Sequence, residues 1–206
     1  MKNLLSKRTL NKYSRQIVLK DVGIIGQRKI FNSKILVVGA GGLGSPVIDL
    51  LVRAGVGFLG VIEDDKVEYS NLHRQTLYDY NDVGKYKSDV IKKKIKLIND
   101  KIKLKIFKER ANDKNLSKIL PKFDIIVDGT DNFPTKFLLN KYSLKYRKKL
   151  VIGAISKFDG HIFSFDFSQK KFPCLNCFYQ GMPSDEILNC EAEGILGPTA
   201  NVIGAL

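Results

Sequence analysis

Three glycines are spaced as G-x-G-x-x-G directly after an apolar stretch, at Gly39, Gly41 and Gly44 in "KILVVGAGGLGSPVIDLL". In this pattern the first glycine permits a tight turn, the second lets a phosphate approach the backbone, and the third lets a helix pack closely on the strand. The N–H groups at the start of that helix attract an anion. The loop, which also contains Gly42, therefore predicts a nucleotide site; a tight turn without a ligand is the structural alternative.

A carboxylate follows the next apolar strand, because Glu63 lies nineteen residues after Gly44. A carboxylate at that position can accept hydrogen bonds from the ribose hydroxyls of an adenine nucleotide. Taken alone, the loop and Glu63 favour an NAD-dependent dehydrogenase, in which the same pattern is common. They predict an adenine nucleotide but do not distinguish NAD from ATP.

Further polar residues suit a triphosphate. They are Asn71, Arg74 and Gln75 in "SNLHRQ", Lys87 in "VGKYKSD", Asp128, Asp131 and Asn132 in "DGTDN", and Arg15 in "KYSRQ". Three adjacent phosphates carry about four negative charges, which must be offset before a nucleophile can attack, whereas hydride transfer needs no such set of cations. Arginine and lysine supply donors, and an aspartate can hold Mg²⁺. These residues favour chemistry on ATP.

Each of these residues also has a structural interpretation. Arg15 and Lys87 are compatible with a solvated surface. Asp128 suits a role in orienting the loop after its strand, and Asp131 is a candidate cap for the following helix. Their joint order along the chain, rather than any one of them, supports the triphosphate interpretation.

The chain resembles the ubiquitin-activating-enzyme-like adenylyltransferases, and most closely the MoeB/ThiF/HesA type, which activates sulfur-carrier proteins for molybdopterin or thiamin biosynthesis. The motifs that carry the resemblance are, in order, "YSRQ", "GAGGLGS", "DDKVEYSNLHRQ", "VGKYKSD", "TDN" with Asn140, "CLNC" and "CEAEGILGP". The resemblance extends from about residue 11 to residue 206, and the usual C-terminal segment is expected to be missing.

The resemblance implies a role for each motif residue. Those that would bind ATP are Gly39, Gly41, Gly42, Gly44, Glu63 at the ribose, Asp65, Asn71, Arg74, Gln75, Lys87, Asp131 and Asn132. Those that would act in catalysis are Asp131 as the Mg²⁺ ligand, Arg74, Lys87, Arg15 and Cys190. The family usually has aspartate where this chain has Glu63, and often arginine where it has Lys136.

The resemblance also implies the reaction and the partners. The nucleophile would be the C-terminal carboxylate of a ubiquitin-like sulfur-carrier protein that ends in Gly-Gly, and its attack on ATP would yield an acyl adenylate and pyrophosphate. Arg15 would reach the phosphates of the neighbouring subunit in a homodimer. The alternatives are an NAD-binding oxidoreductase, a non-catalytic shortened relative, and adenylation of a tRNA base or a peptide C-terminus on the same core.

Three cysteines suggest metal ligation or thiol chemistry rather than a disulfide framework. Cys174 and Cys177 form C-x-x-C, half of a tetrahedral zinc site, and His161 is a candidate fourth ligand. By the resemblance a second C-x-x-C completes the site, and none follows here. Either the chain is cut short or zinc is lost. Cys190 matches a cysteine that takes part in thioester or persulfide chemistry in some members; an inert loop thiol is the alternative.

The elements that must position these residues alternate between strand and helix, which predicts an α/β fold with a Rossmann-like, mainly parallel sheet flanked by helices. The predicted strands are 34–38, 57–65, 102–107, 123–132 and "KLVIGAI", with "GHIFSFDF" as an antiparallel extension. Helices are predicted within 8–31, at 45–54, 85–100 and 133–147, and in the final "GPTANVIGAL". We expect one domain over 1–206, with a helical N-terminal arm (1–32) and a long crossover loop (168–197) that holds the cysteines.

Bulk properties narrow the function classes further. The net charge of +14 is mostly lysine, and we interpret it as a solvated surface in preference to a site for an acidic partner. Neither a nucleic-acid recognition module nor a basic stripe interleaved with aromatic residues is present, so no nucleic-acid partner is expected. No apolar run approaches the ~20 residues of a membrane helix, and the basic N-terminus lacks a signal-peptide core. We therefore expect a cytoplasmic protein without a membrane partner.

Overall fold

The computed structural model describes residues 6–169, 173–183 and 194–206. Its described residues form a six-stranded sheet in the order β3-β2-β1-β4-β5-β6. The strands are β1 (Lys34–Val38), β2 (Phe58–Ile62), β3 (Lys103–Phe107), β4 (Ile125–Asp128), β5 (Lys149–Ser156) and β6 (Asp159–Asp166). Strands β1 to β5 pair in parallel, and β6 pairs antiparallel to β5. The predicted mainly parallel sheet with an antiparallel extension is confirmed.

Helices cover both faces of this sheet. They are α1 (Lys7–Lys12), α2 (Ser14–Ile17), α3 (Gly23–Asn32), α4 (Gly44–Ala54), α5 (Lys87–Ile98), α6 (Asp113–Ile119), α7 (Phe133–Lys145), α8 (Leu175–Tyr179) and α9 (Gly197–Ala205). In the part of the chain that the structure describes, no helix combines the length and the apolar character needed to cross a bilayer.

Side chains of β1 alternate between two apolar clusters on opposite faces of the sheet. Leu36 and Val38 belong to the cluster that α6 and α7 cover, whereas Ile35 and Val37 belong to the one that α4 and α5 cover. Each fully buried aliphatic side chain of this kind stabilises the fold by about 1.5–3 kcal/mol. The two clusters hold the helices in place on the sheet. Because β1 to β5 are parallel, the loops that leave these strands meet at one edge of the sheet.

Two elements were not predicted. Helix α6 begins after Asn112, whose side chain accepts hydrogen bonds from the N–H groups of Lys114 and Asn115. The segment predicted as a crossover loop contains the short helix α8, and Ile195 forms an isolated bridge with Lys157. Residues 170–172 and 184–193 of that segment, including Cys190, lie outside the described residues.

The order of the sheet explains where a ligand can enter. The chain proceeds from β1 to β2 and β3 on one side and returns to β4 and β5 on the other side. In open α/β sheets such a reversal leaves a crevice outside the carboxyl ends of the central strands. Here that crevice lies between the loop after β1 and the loop after β4.

Candidate functional site

A cavity of about 980 Å³ occupies this crevice. Its lining includes Gly39, Gly41 and Gly42 after β1, Glu63, Asp64 and Asp65 after β2, Glu109 and Arg110 after β3, and Gly129 to Asn132 after β4. Small-molecule sites measure roughly 300–1,000 Å³, so the cavity is large enough for a nucleotide.

Close packing of backbone explains the glycines of the loop. Gly39 has a φ of 83°, in the left-handed region, and a Cβ there would lie 3.0 Å from the carbonyl oxygen of Gly129. A Cβ on Gly44 would overlap the carbonyl oxygen of Gly39. Because Gly44 is also the first residue of α4, its lack of a side chain lets the start of that helix sit against the turn.

Glu63 stabilises the glycine loop through a hydrogen bond to its backbone. Its side chain is buried, and its two carboxylate oxygens accept hydrogen bonds from the backbone N–H of Ala40 at 2.7 Å and of Asp65 at 2.9 Å. Tyr78, which the sequence analysis missed, donates to the carbonyl oxygen of Ala40 at 2.9 Å. Burial, with the nearby Glu63 carboxylate, raises the pKa of Tyr78 far above its usual range, so this phenol stays a donor.

We expect Glu63→Gln to destabilise the protein by about 1–3 kcal/mol, because one backbone N–H would then face an amide N–H and remain unsatisfied. Urea unfolding measures this change in the free energy of unfolding. The matched control is Glu109→Gln, since Glu109 is exposed and accepts one hydrogen bond, from Asn115 Nδ2 at 2.9 Å. That variant should lie within about 0.5 kcal/mol of the wild type. Equal losses in both variants would contradict the role given to Glu63.

Lys87 contributes a cation to the lining of the cavity. It is the first residue of α5, it is 4% exposed, and its Nζ donates to Asp65 Oδ2 at 3.2 Å. An ammonium has three protons, so donors remain for an anion in the cavity. The Asp65 side chain is 56% exposed and holds the lysine in place from the solvent side.

Residues of the segment "SNLHRQ" have two kinds of role: some stabilise the local backbone, and others line the cavity. Asn71 is buried, its Oδ1 accepts from the Glu68 N–H at 3.2 Å, and it does not line the cavity. Arg74 lines the cavity while its Nη1 contacts the Ser70 carbonyl oxygen at 3.0 Å. Gln75 is buried beside the cavity, and its Oε1 has no hydrogen-bond partner among the described residues. Gln75 is therefore a polar side chain available for a ligand.

The loop after β4 presents one unpaired carboxylate. Asp128 is buried and accepts hydrogen bonds from the N–H and hydroxyl of Thr130, which gives it the loop-orienting role that the sequence suggested. Asn132, not Asp131, caps α7 by accepting from the Thr135 N–H at 3.0 Å, so the capping interpretation of Asp131 is wrong. In the described part of the chain, the carboxylate of Asp131 receives one long contact, from Asn132 Nδ2 at 3.4 Å.

Arg15 and the cysteines lie apart from this group. Arg15 is exposed on α2 and does not line the cavity of its own chain. The Cys174 and Cys177 Sγ atoms are 3.5 Å apart, but among the described residues no third His, Cys or carboxylate joins them. Burial raises the pKa of the Cys174 thiol, but hydrogen bonds with Cys177, Asn140 and Asn176 together outweigh it, so the net pKa is lowered. His161 lines the cavity instead.

Some lining residues were not found from the sequence. Glu109 and Arg110 follow β3, so the rule that strand ends meet at one edge was a sufficient signal for them. Phe133 and Tyr179 meet edge to face, with ring centroids 5.3 Å apart, and both line the cavity. Tyr179 is the last residue of the unpredicted helix α8, and nothing in its sequence context indicated that position.

Comparison with known proteins places this arrangement in a family. The model of the ThiF family matches residues 13–206. The "Sulfur carrier protein adenylyltransferase" of Thermus thermophilus is 40% identical over 98% of this chain and 76% of its own length. The "Probable molybdopterin-synthase adenylyltransferase" of Gracilaria tenuistipitata var. liui is 37% identical over 97% of this chain and 56% of its own length.

Solved structures agree with this assignment. E. coli MccB with ATP has a TM-score of 0.76 at 26% identity, and covers 95% of this chain and 60% of its own. The same protein with MccA-N7isoASN has a TM-score of 0.81 at 27% identity, over 96% of this chain and 61% of its own. The chain thus spans between about half and three quarters of the relatives it matches. The resemblance seen in the motifs is confirmed, and the chain belongs to the ThiF family.

Proposed function

We propose that this protein uses ATP to adenylate the C-terminal glycine carboxylate of a ubiquitin-like sulfur-carrier protein. One observation carries the proposal: a single cavity is lined by the glycine loop, by the cations Arg74 and Lys87, and by the unpaired carboxylate of Asp131. The names of the T. thermophilus and G. tenuistipitata relatives support an adenylyltransferase acting on such a carrier.

Glu63 would hold the ribose of ATP, and the glycine loop would let the phosphates approach the backbone. Each oxygen of Glu63 accepts one backbone N–H and keeps a second lone pair, which suits a ribose hydroxyl. The amide oxygen of Gln75 is a further acceptor beside the loop. The helix that begins at Gly44 directs its N-terminal N–H groups and its positive dipole end toward the phosphates.

Arg74, Lys87 and Asp131 would act on the triphosphate. The two cations would offset its negative charge, with Asn71 fixing the segment that carries Arg74. The donor set fits Mg²⁺, which is usually bound by one or two carboxylates together with phosphate oxygens, and Asp131 is the candidate ligand. When bound, Mg²⁺ supplies further neutralisation of the phosphate charge.

The chemical step needs no base from this chain, because a carboxylate is ionised at neutral pH. A carboxylate oxygen of the carrier forms a bond to the α-phosphorus, and the bond from that phosphorus to the bridging oxygen breaks. Pyrophosphate leaves with the electron pair, and an acyl adenylate remains. The protein contributes orientation and charge stabilisation, which are the main sources of rate in such transfers.

The proposal includes a homodimer with composite sites, in which Arg15 acts on the phosphates of the neighbouring subunit. Arg15 is exposed and lies outside the cavity of its own chain. The same N-terminal arm also exposes the apolar side chains of Val18, Leu19 and Ile25, which is compatible with a second copy of the chain packing against this arm. A cytoplasmic location, zinc at Cys174 and Cys177, and a role for Cys190 stay predictions.

Mixing two inactive variants tests the composite site. Arg15→Ala and Asp131→Ala should each be inactive alone, while equal amounts reassembled together should recover about a quarter of the wild-type rate. Half of the dimers are then mixed, and each mixed dimer holds one complete site. As control, Asp131→Ala is mixed with the Arg15→Ala/Asp131→Ala double variant and should recover nothing. No recovery in the first mixture would place Arg15 outside the neighbouring site.

Carrier-dependent exchange of pyrophosphate into ATP tests the function. We expect exchange with a carrier that ends in Gly-Gly and none with the same carrier lacking those glycines. Exchange with neither carrier, using folded protein, would refute the proposal, and carrier binding without exchange would favour the non-catalytic alternative. A rise in NADH fluorescence on mixing would favour an oxidoreductase, which neither of the named curated relatives is.

A further inference from the structure

Lys136 is a buried lysine that lines the cavity, and the proposed reaction assigns it no role. It lies on α7, and its side chain is 6% exposed. Its Nζ donates to Asp128 Oδ2 at 3.2 Å, to the carbonyl oxygen of Thr130 at 2.7 Å and to the carbonyl oxygen of Gly153 at 2.7 Å. An ammonium has three protons, so these three acceptors use all of them. Lys136 is therefore not a further phosphate-binding cation, although it lines the cavity.

The three acceptors belong to three different parts of the fold. Asp128 is the last residue of β4, Gly153 lies within β5, and Thr130 directly precedes Asp131. Lys136 thus joins helix α7 and two strands to the backbone of the loop that carries Asp131. The carboxylate of Asp128 is fully buried, and the lysine is its charge partner. A buried charge pair of this kind keeps one geometry, because each partner lacks water as an alternative.

The same loop packs directly on the glycine loop. A Cβ on Gly129 would lie 2.9 Å from Gly44 Cα, and the Gly129 N–H donates to the Val38 carbonyl oxygen at 2.9 Å. The loop that holds Asp131 is therefore fixed on one side by the phosphate-binding turn and on the other side by Lys136. Asp131 itself makes one long contact, so its position depends on the backbone that bears it.

We propose that Lys136 is a positioning residue that holds the loop bearing Asp131 in place, so that this carboxylate would be available as a ligand for the divalent cation that accompanies ATP. This inference rests on the proposed binding of ATP with Mg²⁺. It assigns Lys136 no contact with ATP, with the cation or with the carrier. The predicted consequence is specific: loss of Lys136 weakens the magnesium-dependent part of ATP binding and leaves the magnesium-independent part unchanged.

Calorimetric titration of ATP, once with excess Mg²⁺ and once with EDTA, separates these two parts without any turnover. We define the magnesium gain as the ratio of the two affinities. Lys136→Met should lower this ratio roughly ten- to a hundredfold, the usual loss when a residue that orients a metal ligand is removed. In an Asp131→Asn background, Lys136→Met should lower it no further, because the lysine acts through that carboxylate. Lys136→Arg, which keeps a cation for the three acceptors, should restore most of the gain.

The matched control is Lys141→Met. Lys141 lies on the same helix and also pairs with an aspartate, at 2.9 Å from Asp113 Oδ1, but this pair is exposed. Lys141→Met should keep the wild-type magnesium gain. Lys136→Met leaves the buried Asp128 carboxylate without its charge partner, so this variant can fail to fold. In that case the double variant Asp128→Asn/Lys136→Met is titrated in its place. It removes both charges and should show the same lowered gain.

Five outcomes are informative, four about this inference and one about the proposed function. A reduced magnesium gain with unchanged affinity in EDTA supports it. An equal loss of affinity with and without Mg²⁺ in a folded variant would mean a direct phosphate contact and overturn it. An unchanged magnesium gain in folded Lys136→Met also overturns the inference. A wild-type protein that binds ATP with no magnesium gain overturns it too. Both of these results leave the proposed adenylation standing. A wild-type protein that binds no ATP at all refutes the proposed function itself.

Discussion

Asp131→Ala lowers carrier-dependent pyrophosphate exchange by about 10²–10³-fold or more, because removal of one preorganised electrostatic group from a transition state costs that much. The fold should persist, since the carboxylate is exposed and receives one long contact in the described residues. The free energy of unfolding should change by less than about 0.5 kcal/mol. Exchange kinetics measure the first quantity, and urea unfolding measures the second.

Asp100→Ala is the control for this result. Asp100 is an exposed aspartate whose ion pair, 3.8 Å from Lys101 Nζ, lies outside the lining of the cavity. Asp100→Ala should keep the wild-type exchange rate. Near-normal exchange by Asp131→Ala in the presence of Mg²⁺ would show that the candidate magnesium ligand is misassigned.

Gly44→Ala has the second large expected effect, on stability and on ATP binding together. The new Cβ would overlap the carbonyl oxygen of Gly39, so the turn and the start of α4 must separate. Overpacking of this kind costs about 1–3 kcal/mol in the free energy of unfolding. The shifted backbone should also lose the close approach of phosphate, so ATP affinity should fall. Urea unfolding and calorimetric titration with ATP measure the two effects.

Gly42→Ala separates packing from the mere loss of a glycine. A Cβ on Gly42 would have its nearest neighbours at 3.4 Å, on Ala200 and Arg74, and these are side-chain atoms. Its free energy of unfolding should stay within about 0.5 kcal/mol of the wild type. If Gly42→Ala and Gly44→Ala destabilise the protein equally, the close contact of Gly44 with Gly39 is not the reason for its requirement.

The sequence was sufficient for features that depend on neighbouring residues. The apolar run of β1, the glycine spacing and the turn into α4 are local patterns, so their places in the fold were predicted to within a residue or two. The edge of the sheet that collects the polar residues follows from strand direction alone. Helix α6 was missed because it is short, and the cap at Asn112 was its main local signal.

Features that depend on distant partners were not predicted. Asp131 and Asn132 are adjacent, and both residue types commonly cap helices. Which of the two caps α7 depends on their side-chain rotamers, which the sequence does not reveal. The contact of Lys136 with Gly153 joins a helix to a strand that follows it. The second role of Glu63, which accepts the N–H of Ala40, requires the packed sheet. For Lys136 and Glu63 the residue was recognised, but its partner comes from another element.

The most direct test of the account is the intact mass of a sulfur-carrier protein after incubation with this chain, ATP, Mg²⁺ and pyrophosphatase. We expect that a carrier ending in Gly-Gly gains the mass of one adenylyl group, that hydroxylamine removes it, and that Asp131→Ala does not add it. A Gly-Gly carrier that keeps its original mass while the folded protein binds ATP would contradict the proposal that its terminal carboxylate is the nucleophile.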